Sequence, residues 1–239
     1  MSRPVDVVVA GLGNPEIQYA TTRHNDYLAN AMQSSQEENN AVKPVFYRRF
    51  DLAADIRDTI FSTKTENGSS SVTKSLRVVL VKPLMNMNES GVPVQRVLQY
   101  YGITDTKKLI VVCDDLNTLP GSLMIQGGGL LAAMQGHKGI ESIANVLGTT
   151  EFIRFRLGIG RPPNESTTIT QWVLGSFTKE NREMNLFGHL LHLTTHALYD
   201  YSIHQDLKKI KKKYAQSKKL PNKLKEMESL IFPIDLHGT

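Results

Sequence analysis

His24 is the side chain in this sequence best placed for proton transfer. It lies in Thr22-Arg23-His24-Asn25, shortly after Gly11-Leu12-Gly13-Asn14-Pro15. An unperturbed imidazole titrates close to neutral pH, so His24 is a candidate general base. A lone histidine is more often a structural hydrogen-bonding group, and the case for chemistry rests on what accompanies it. Asp114, in Cys113-Asp114-Asp115, could accept a hydrogen bond from the ring, fix its tautomer and stabilise the imidazolium formed as water is deprotonated. The competing role for an Asp-Asp pair is a turn or a helix cap. Asn88, in Met87-Asn88-Glu89-Ser90-Gly91, offers one acceptor and two donors, suited to holding an ester carbonyl or a backbone amide. Turn and capping roles compete for Asn88 and Ser90, and Met87 reads as packing. Cys113 ends an apolar run and reads as a small core hydrophobe rather than a nucleophile.

Two further clusters carry charge or ligand chemistry. Lys138, in Gly136-His137-Lys138-Gly139, together with Arg154 and Arg156 could meet phosphates; the two arginines alternate and so share one face of a strand. The bland alternative is a solvated strand face. His189, His192 and His196 are spaced along one helix face, but no glutamate follows His192 and no acidic ligand is near. They are expected to be a polar face, and no metal is expected. Other chemistries lack their signatures. Gly-x-Gly is followed by Glu16 where a dinucleotide fingerprint needs its third glycine. There is neither a phosphate-binding Gly-Lys-Ser/Thr loop nor a Gly-x-Ser-x-Gly nucleophile elbow.

These groups must be held by the elements around them. Short β-branched or apolar runs at 5–10, 76–81, 109–113 and 153–159 predict strands, and 46–56 alternates like another. Helical spacing is present over 26–36, 92–101 (Pro93 in its first turn, Ser90 as cap, Gly102 as stop) and 139–147 before Gly148. Residues 178–214 predict one long helix or two, interrupted near Gly188, and the polar stretch 62–75 predicts a loop. Strands alternating with helices indicate an α/β domain with a parallel or mixed sheet. His24, Asn88 and Asp114 each follow a strand, so one edge of such a sheet could gather them, and that edge is where open α/β sheets bind ligands.

With 239 residues, 40% of them hydrophobic and 21% charged, the chain has the composition of a globular protein and is not wholly disordered. No apolar run is long enough for a membrane helix, and Cys113 as the single cysteine excludes an internal disulfide framework. The expectation is a compact intracellular protein, cytoplasmic or mitochondrial. Its net charge of +5 is uneven: nine lysines and no acid lie between Lys208 and Lys225, and the rest of the chain has 19 basic against 23 acidic residues. A concentrated basic segment attracts polyanions, nucleic acid foremost; the alternative is a solubilising tail or localisation signal. The domain reading is a body over 1–205 and a lysine-rich extension over 206–239.

In order along the chain, Gly11–Pro15 with Tyr19 and Thr22–Asn25, Lys82–Gly91, Asp114–Leu116 with Leu119-Pro120-Gly121, Gly136–Gly139, Phe152–Pro162 and Trp172–Phe177 resemble the bacterial-type peptidyl-tRNA hydrolase family. The resemblance covers about residues 5–200. It implies a single α/β domain, a twisted mixed β-sheet with helices on both faces. It also implies hydrolysis of the ester joining a peptide to the 3′ ribose of tRNA, by a monomer using water without metal, cofactor or covalent intermediate. By the same resemblance His24 is the catalytic base and Asp114 orients it. Asn14 and Asn88 bind substrate beside the scissile bond, Tyr19 lies near the tRNA end and Met87 lines the cleft.

Four departures stand out, the first being Asp26 directly after Thr22–Asn25, where small residues are usual. Lys138 occupies the place of a usual asparagine, Leu130–Gln135 lengthens a glycine-rich link, and Gln126 replaces a basic residue thought to grip the tRNA 5′ phosphate, while Arg156 matches its partner. Lys138 is therefore expected to supply the phosphate attraction lost at Gln126. An RNA-binding relative without catalysis, of the kind adapted to splicing, is the alternative reading.

Overall fold

Strand β1 (Val7–Gly11) is buried along its whole length, as a valine run flanked by pairing partners on both sides must be. The computed structural model describes residues 3–16, 22–24, 46–67, 70–129, 136–163, 165–177 and 183–215. Around β1 lie β2 (Tyr47–Arg49), β3 (Ala54–Asn67), β4 (Ser70–Pro83), β5 (Leu109–Asp115), β6 (Leu123–Gly127) and β7 (Ile153–Gly158). They form one seven-stranded sheet in the order β2-β3-β4-β1-β5-β7-β6. β4, β1, β5 and β7 run parallel, whereas β3 is antiparallel to β4 and β6 to β7. Parallel pairing puts the carboxyl ends of β4, β1 and β5 at one edge. The chain passes from β4 on one side of β1 to β5 on the other, which makes that edge a topological switch point.

Side-chain alternation divides β1 between two cores. Val8 and Ala10 pack with α1 (Gly91–Tyr100) and α2 (Lys138–Leu147) through Val94, Val97, Leu98, Ile140 and Ile143. Val7 and Val9 face the opposite layer, where α4 (Glu183–His204) and α5 (Leu207–Tyr214) contribute Leu190, Ala197, Leu198, Ile210 and Tyr214. The short α3 (Ile169–Val173) follows β7. The fold is thus the expected mixed sheet with helices on both faces.

Several local expectations need correction. Residues 62–67 and 70–75 are not a loop but paired strand, the outer part of β3 and β4, in register from Ser62↔Ser75 to Asn67↔Ser70. An antiparallel pair can satisfy its backbone without burying either face, so polarity did not exclude strand there. α4 runs through Gly188 and stops only before Gln205 (φ +50), because the buried Leu190, Ala197 and Leu198 outweigh the modest propensity cost of one glycine. Ser90 does not cap α1 through its side chain; its hydroxyl donates to the Met87 carbonyl. The helix expected over 26–36 lies outside the described residues.

α1 and α2 meet closely at Gly91. Its N–H donates to Ser142 Oγ at 3.0 Å, and a Cβ there would stand 2.4 Å from the Ser142 carbonyl oxygen. Backbone cannot yield as a flexible side chain does. Gly91→Ala is therefore expected to destabilise the fold by about 1–3 kcal/mol. In thermal unfolding this lowers Tm by about 2–4 °C per kcal/mol; an unchanged Tm would show that the two helices separate freely.

Candidate active site

The segment carrying His24 is fixed by the stretch around α3. Thr22 bridges Ser176, Arg23 N–H donates to the Gly175 carbonyl (3.1 Å), and His24 N–H donates to that of Val173 (3.0 Å). The Arg23 guanidinium lies 3.8 Å over the Trp172 ring and donates to the Trp172 carbonyl. Trp172 is anchored in turn by Nε1–H to the Gly160 carbonyl at 2.9 Å. Thr168 and Gln171 close a reciprocal capping box at the start of α3. Trp172→Ala removes both the cation–π contact and the anchor, freeing the His24 segment to shift. Misplacement of about 1 Å costs on the order of 10²-fold in rate, so turnover should fall by about 10–10² while substrate affinity stays. Loss of affinity with turnover intact would contradict this positioning role.

His24 meets Asp114 from 90 residues away: Nδ1 lies 2.7 Å from Oδ1. The same oxygen receives His137 Nε2 at 3.1 Å. His137 Nδ1 accepts from the Ile140 N–H as the cap of α2, so the hydrogen on that ring sits on Nε2 and points at the carboxylate. Asp114, an acceptor only when ionised, likewise requires the hydrogen of His24 on Nδ1. Nε2 of His24 is left with the lone pair. Burial by itself would raise the Asp114 pKa, but His24 and then His137 more than offset it and hold the carboxyl well below the usual carboxylate range. Burial lowers the pKa of His24, yet the charge and hydrogen bond of Asp114 prevail and leave it above 6.5. The rings of His24 and His137 are 5.2 Å apart.

These groups open on a cleft of about 310 Å³ lined by His24, Asp114, Asp115, His137, Lys138 and Arg161 among others. Lys138 is exposed and pairs with Glu141 at 3.0 Å. Arg161 donates to Asn117 Oδ1 at 2.7 Å. Asn14 and Met87 adjoin this region rather than line it. Asn14 Oδ1 accepts from the Met87 N–H at 3.1 Å, and a Cβ on Gly139 would lie 2.5 Å from Met87 Sδ. Asn88 is exposed on the 3-10 turn Met87–Glu89. Asp115 takes the turn role, accepting from the Asn117 N–H and the Thr118 hydroxyl.

Arg156 is elsewhere. It is buried, 4% exposed at its side chain, and paired with Asp115 at 3.0 Å. Arg154 is also buried, so the two arginines share a face as expected but that face is not solvated. Burial pushes the Cys113 thiol up, in keeping with a core residue. His189 is buried, while His192 and His196 are exposed and 3.0 Å apart. Among the described residues the three groups of metal-ligand type that converge are His24, Asp114 and His137, within 4.8 Å. Here both rings direct a hydrogen at the carboxylate between them, a hydrogen-bonded relay. Tyr19 and Leu130–Gln135 lie outside the described residues.

The sequence matches one family, peptidyl-tRNA hydrolase, over residues 8–223. The chain belongs to the peptidyl-tRNA hydrolase family. A peptidyl-tRNA hydrolase of Bacillus subtilis (strain 168) is 37% identical over 174 residues, which is 73% of this chain and 81% of that protein. One of Enterococcus faecalis is 35% identical over 181 residues, covering 76% and 85%. The solved structure of peptidyl-tRNA hydrolase from Acinetobacter baumannii superposes with a TM-score of 0.66 at 22% identity, over 90% of this chain and 99% of that one, a likeness of fold. Within this peptidyl-tRNA hydrolase fold, sequence reasoning missed His137 and Arg161. Both sit in motifs already singled out, but Lys138, Arg154 and Arg156 were drawn from them instead. Nothing in a linear sequence says that His137 turns its Nε2 to the same oxygen as His24.

Proposed function

We propose that this chain hydrolyses the ester between a peptide, or an N-blocked amino acid, and the 3′ end of tRNA, releasing tRNA for reuse in translation. The observation that carries this reading is the Asp114 carboxylate gripping two imidazoles at the floor of an open cleft. Asp114 holds His24 with its Nδ1–H inward, so His24 Nε2 takes a proton from water as that water attacks the ester carbonyl. Asp114 stays ionised and stabilises the imidazolium; the proton then passes to the leaving ribose oxygen. Asn14, Asn88 and Met87 position the peptidyl end, and Tyr19 meets the tRNA end. No residue of the relay is a nucleophile, and no cofactor is needed for this balance of protons. Arg156, buried behind the cleft wall, supports Asp115 there.

The test is release of N-acetyl-aminoacyl groups from tRNA by the wild-type chain, which should produce free tRNA with turnover. Tight tRNA binding without release would favour a non-catalytic RNA-binding protein, a reading that no observation now supports.

Lys138 lies exposed in the lining of the cleft, paired with the half-buried Glu141. It supplies phosphate attraction where Gln126 offers none. Lys138→Ala should raise KM for peptidyl-tRNA and flatten the salt dependence of binding by a slope of about 0.9, one phosphate's worth. A variant that loses turnover while binding tRNA normally would contradict this assignment.

A further inference from the structure

α5 is short, strongly basic and firmly docked. Asp206 caps it by accepting from the Lys209 N–H at 3.0 Å. Ile210 and Tyr214, one turn apart, are buried in the core beneath the sheet. Asp200 of α4 accepts from the Tyr214 hydroxyl at 2.6 Å and from Lys213 Nζ at 2.7 Å. Leu207 sits so close to edge strand β6 that a Cβ on Gly127 would lie 2.4 Å from its Cδ2. With these contacts facing inward, the helical period turns Lys208, Lys209 and Lys212 outward, and all three are exposed; Lys211 flanks them, half-buried. Among the described residues these four pair with no carboxylate.

Such an arrangement opposes helix stability. Lys208 and Lys212, and Lys209 and Lys213, are like-charge pairs at four-residue spacing. Lys208 and Lys209 also occupy the first turn, where the helix dipole disfavours cations. A solubilising tail would need no docked helix to do its work. A rigid row of uncompensated lysines is what a polyanion with closely spaced charges requires, and the substrate carries one in the phosphate backbone of its tRNA.

We infer that the outward face of α5 binds the phosphate backbone of the substrate tRNA, at a second contact remote from the ester. The sheet register supports the separation. Asp114 pairs with Leu157, which pairs with Leu123 at the start of β6, whereas Gly127 beneath Leu207 ends that strand. Four residues of strand amount to about 13 Å. The contact therefore acts on capture of the whole tRNA and leaves the chemical step alone. This inference rests on the hydrolase reading above.

The experiment compares the full-length chain with a variant carrying Lys208→Gln, Lys209→Gln, Lys211→Gln and Lys212→Gln, and with the matching four-arginine variant. Two substrates are used: N-acetyl-aminoacyl-tRNA and the same ester on a CCA trinucleotide. For the glutamine variant, KM for the full tRNA should rise by about tenfold or more and its salt slope should fall by about 3–4. Turnover number and cleavage of the trinucleotide ester should not change, and the arginine variant should behave as wild type. An unchanged KM and salt slope, or equal losses on both substrates, would overturn the inference. So would wild-type binding to anionic phosphatidylserine vesicles but not to tRNA. If the wild type cleaves neither ester, the hydrolase reading fails. Binding of deacylated tRNA, measured across the same salt series, then still decides the role of α5. Equal thermal unfolding of the variants separates lost charge from lost docking.

Discussion

His24→Ala is expected to slow ester cleavage by about 10²–10⁴-fold, the range that a positioned general base contributes. Single-turnover release of N-acetyl-aminoacyl groups, with enzyme in excess over tRNA, reads the chemical step without product release. Affinity for tRNA should be retained, since the imidazole is small and its segment is held by backbone contacts to Val173 and Gly175. The residual rate should no longer depend on a group titrating near neutrality. Wild-type single-turnover rates in the variant would remove His24 from the mechanism.

Asp114→Asn should cost on the order of 10³–10⁴-fold, because an amide can donate to Nδ1 and leave the ring in the wrong tautomer. Its pH behaviour distinguishes it from simple damage. A base works only when unprotonated, and Asp114 raises the His24 pKa above 6.5 against the opposing effect of burial. Wild-type kcat/KM should therefore fall as pH drops through a midpoint above 6.5. Without the carboxylate charge burial alone acts, so the acid limb of the asparagine variant should move below the wild-type midpoint. A limb that stays in place would mean that another group sets it.

Buried strands were the readable part of this fold. β1, β5 and the inner part of β4 lie inside the sheet, so their apolar runs announce them, and the order of loops at their carboxyl ends follows. Gly102 and Gly148, both at positive φ, were legible as helix stops for the same local reason. β6 was not legible, being a five-residue edge strand in which Met124 and Gly127 are exposed. Nor was α3, whose five residues bury nothing fully and whose value lies in gripping Arg23 and His24. Among site residues, His24 and Asp114 could be paired in sequence because one follows a parallel strand and the other stands at the carboxyl end of its neighbour. The burial of Arg156 could not be foreseen, since alternation gives a shared face but not what covers it. The partner of that arginine, Asp115, is separated from it by 41 positions and adjoins it only through the β5–β7 pairing.

Which ring nitrogen of His24 carries the hydrogen decides whether that ring can act as the base. Nitrogen-15 NMR of the histidine rings, in wild type and in Asp114→Asn, measures this directly. Above the midpoint of its titration, wild-type His24 should show a protonated Nδ1 and a bare Nε2, and the variant should lose that preference. A bare Nδ1 in the wild type, or the same tautomer in both proteins, would contradict a carboxylate-oriented base at residue 24.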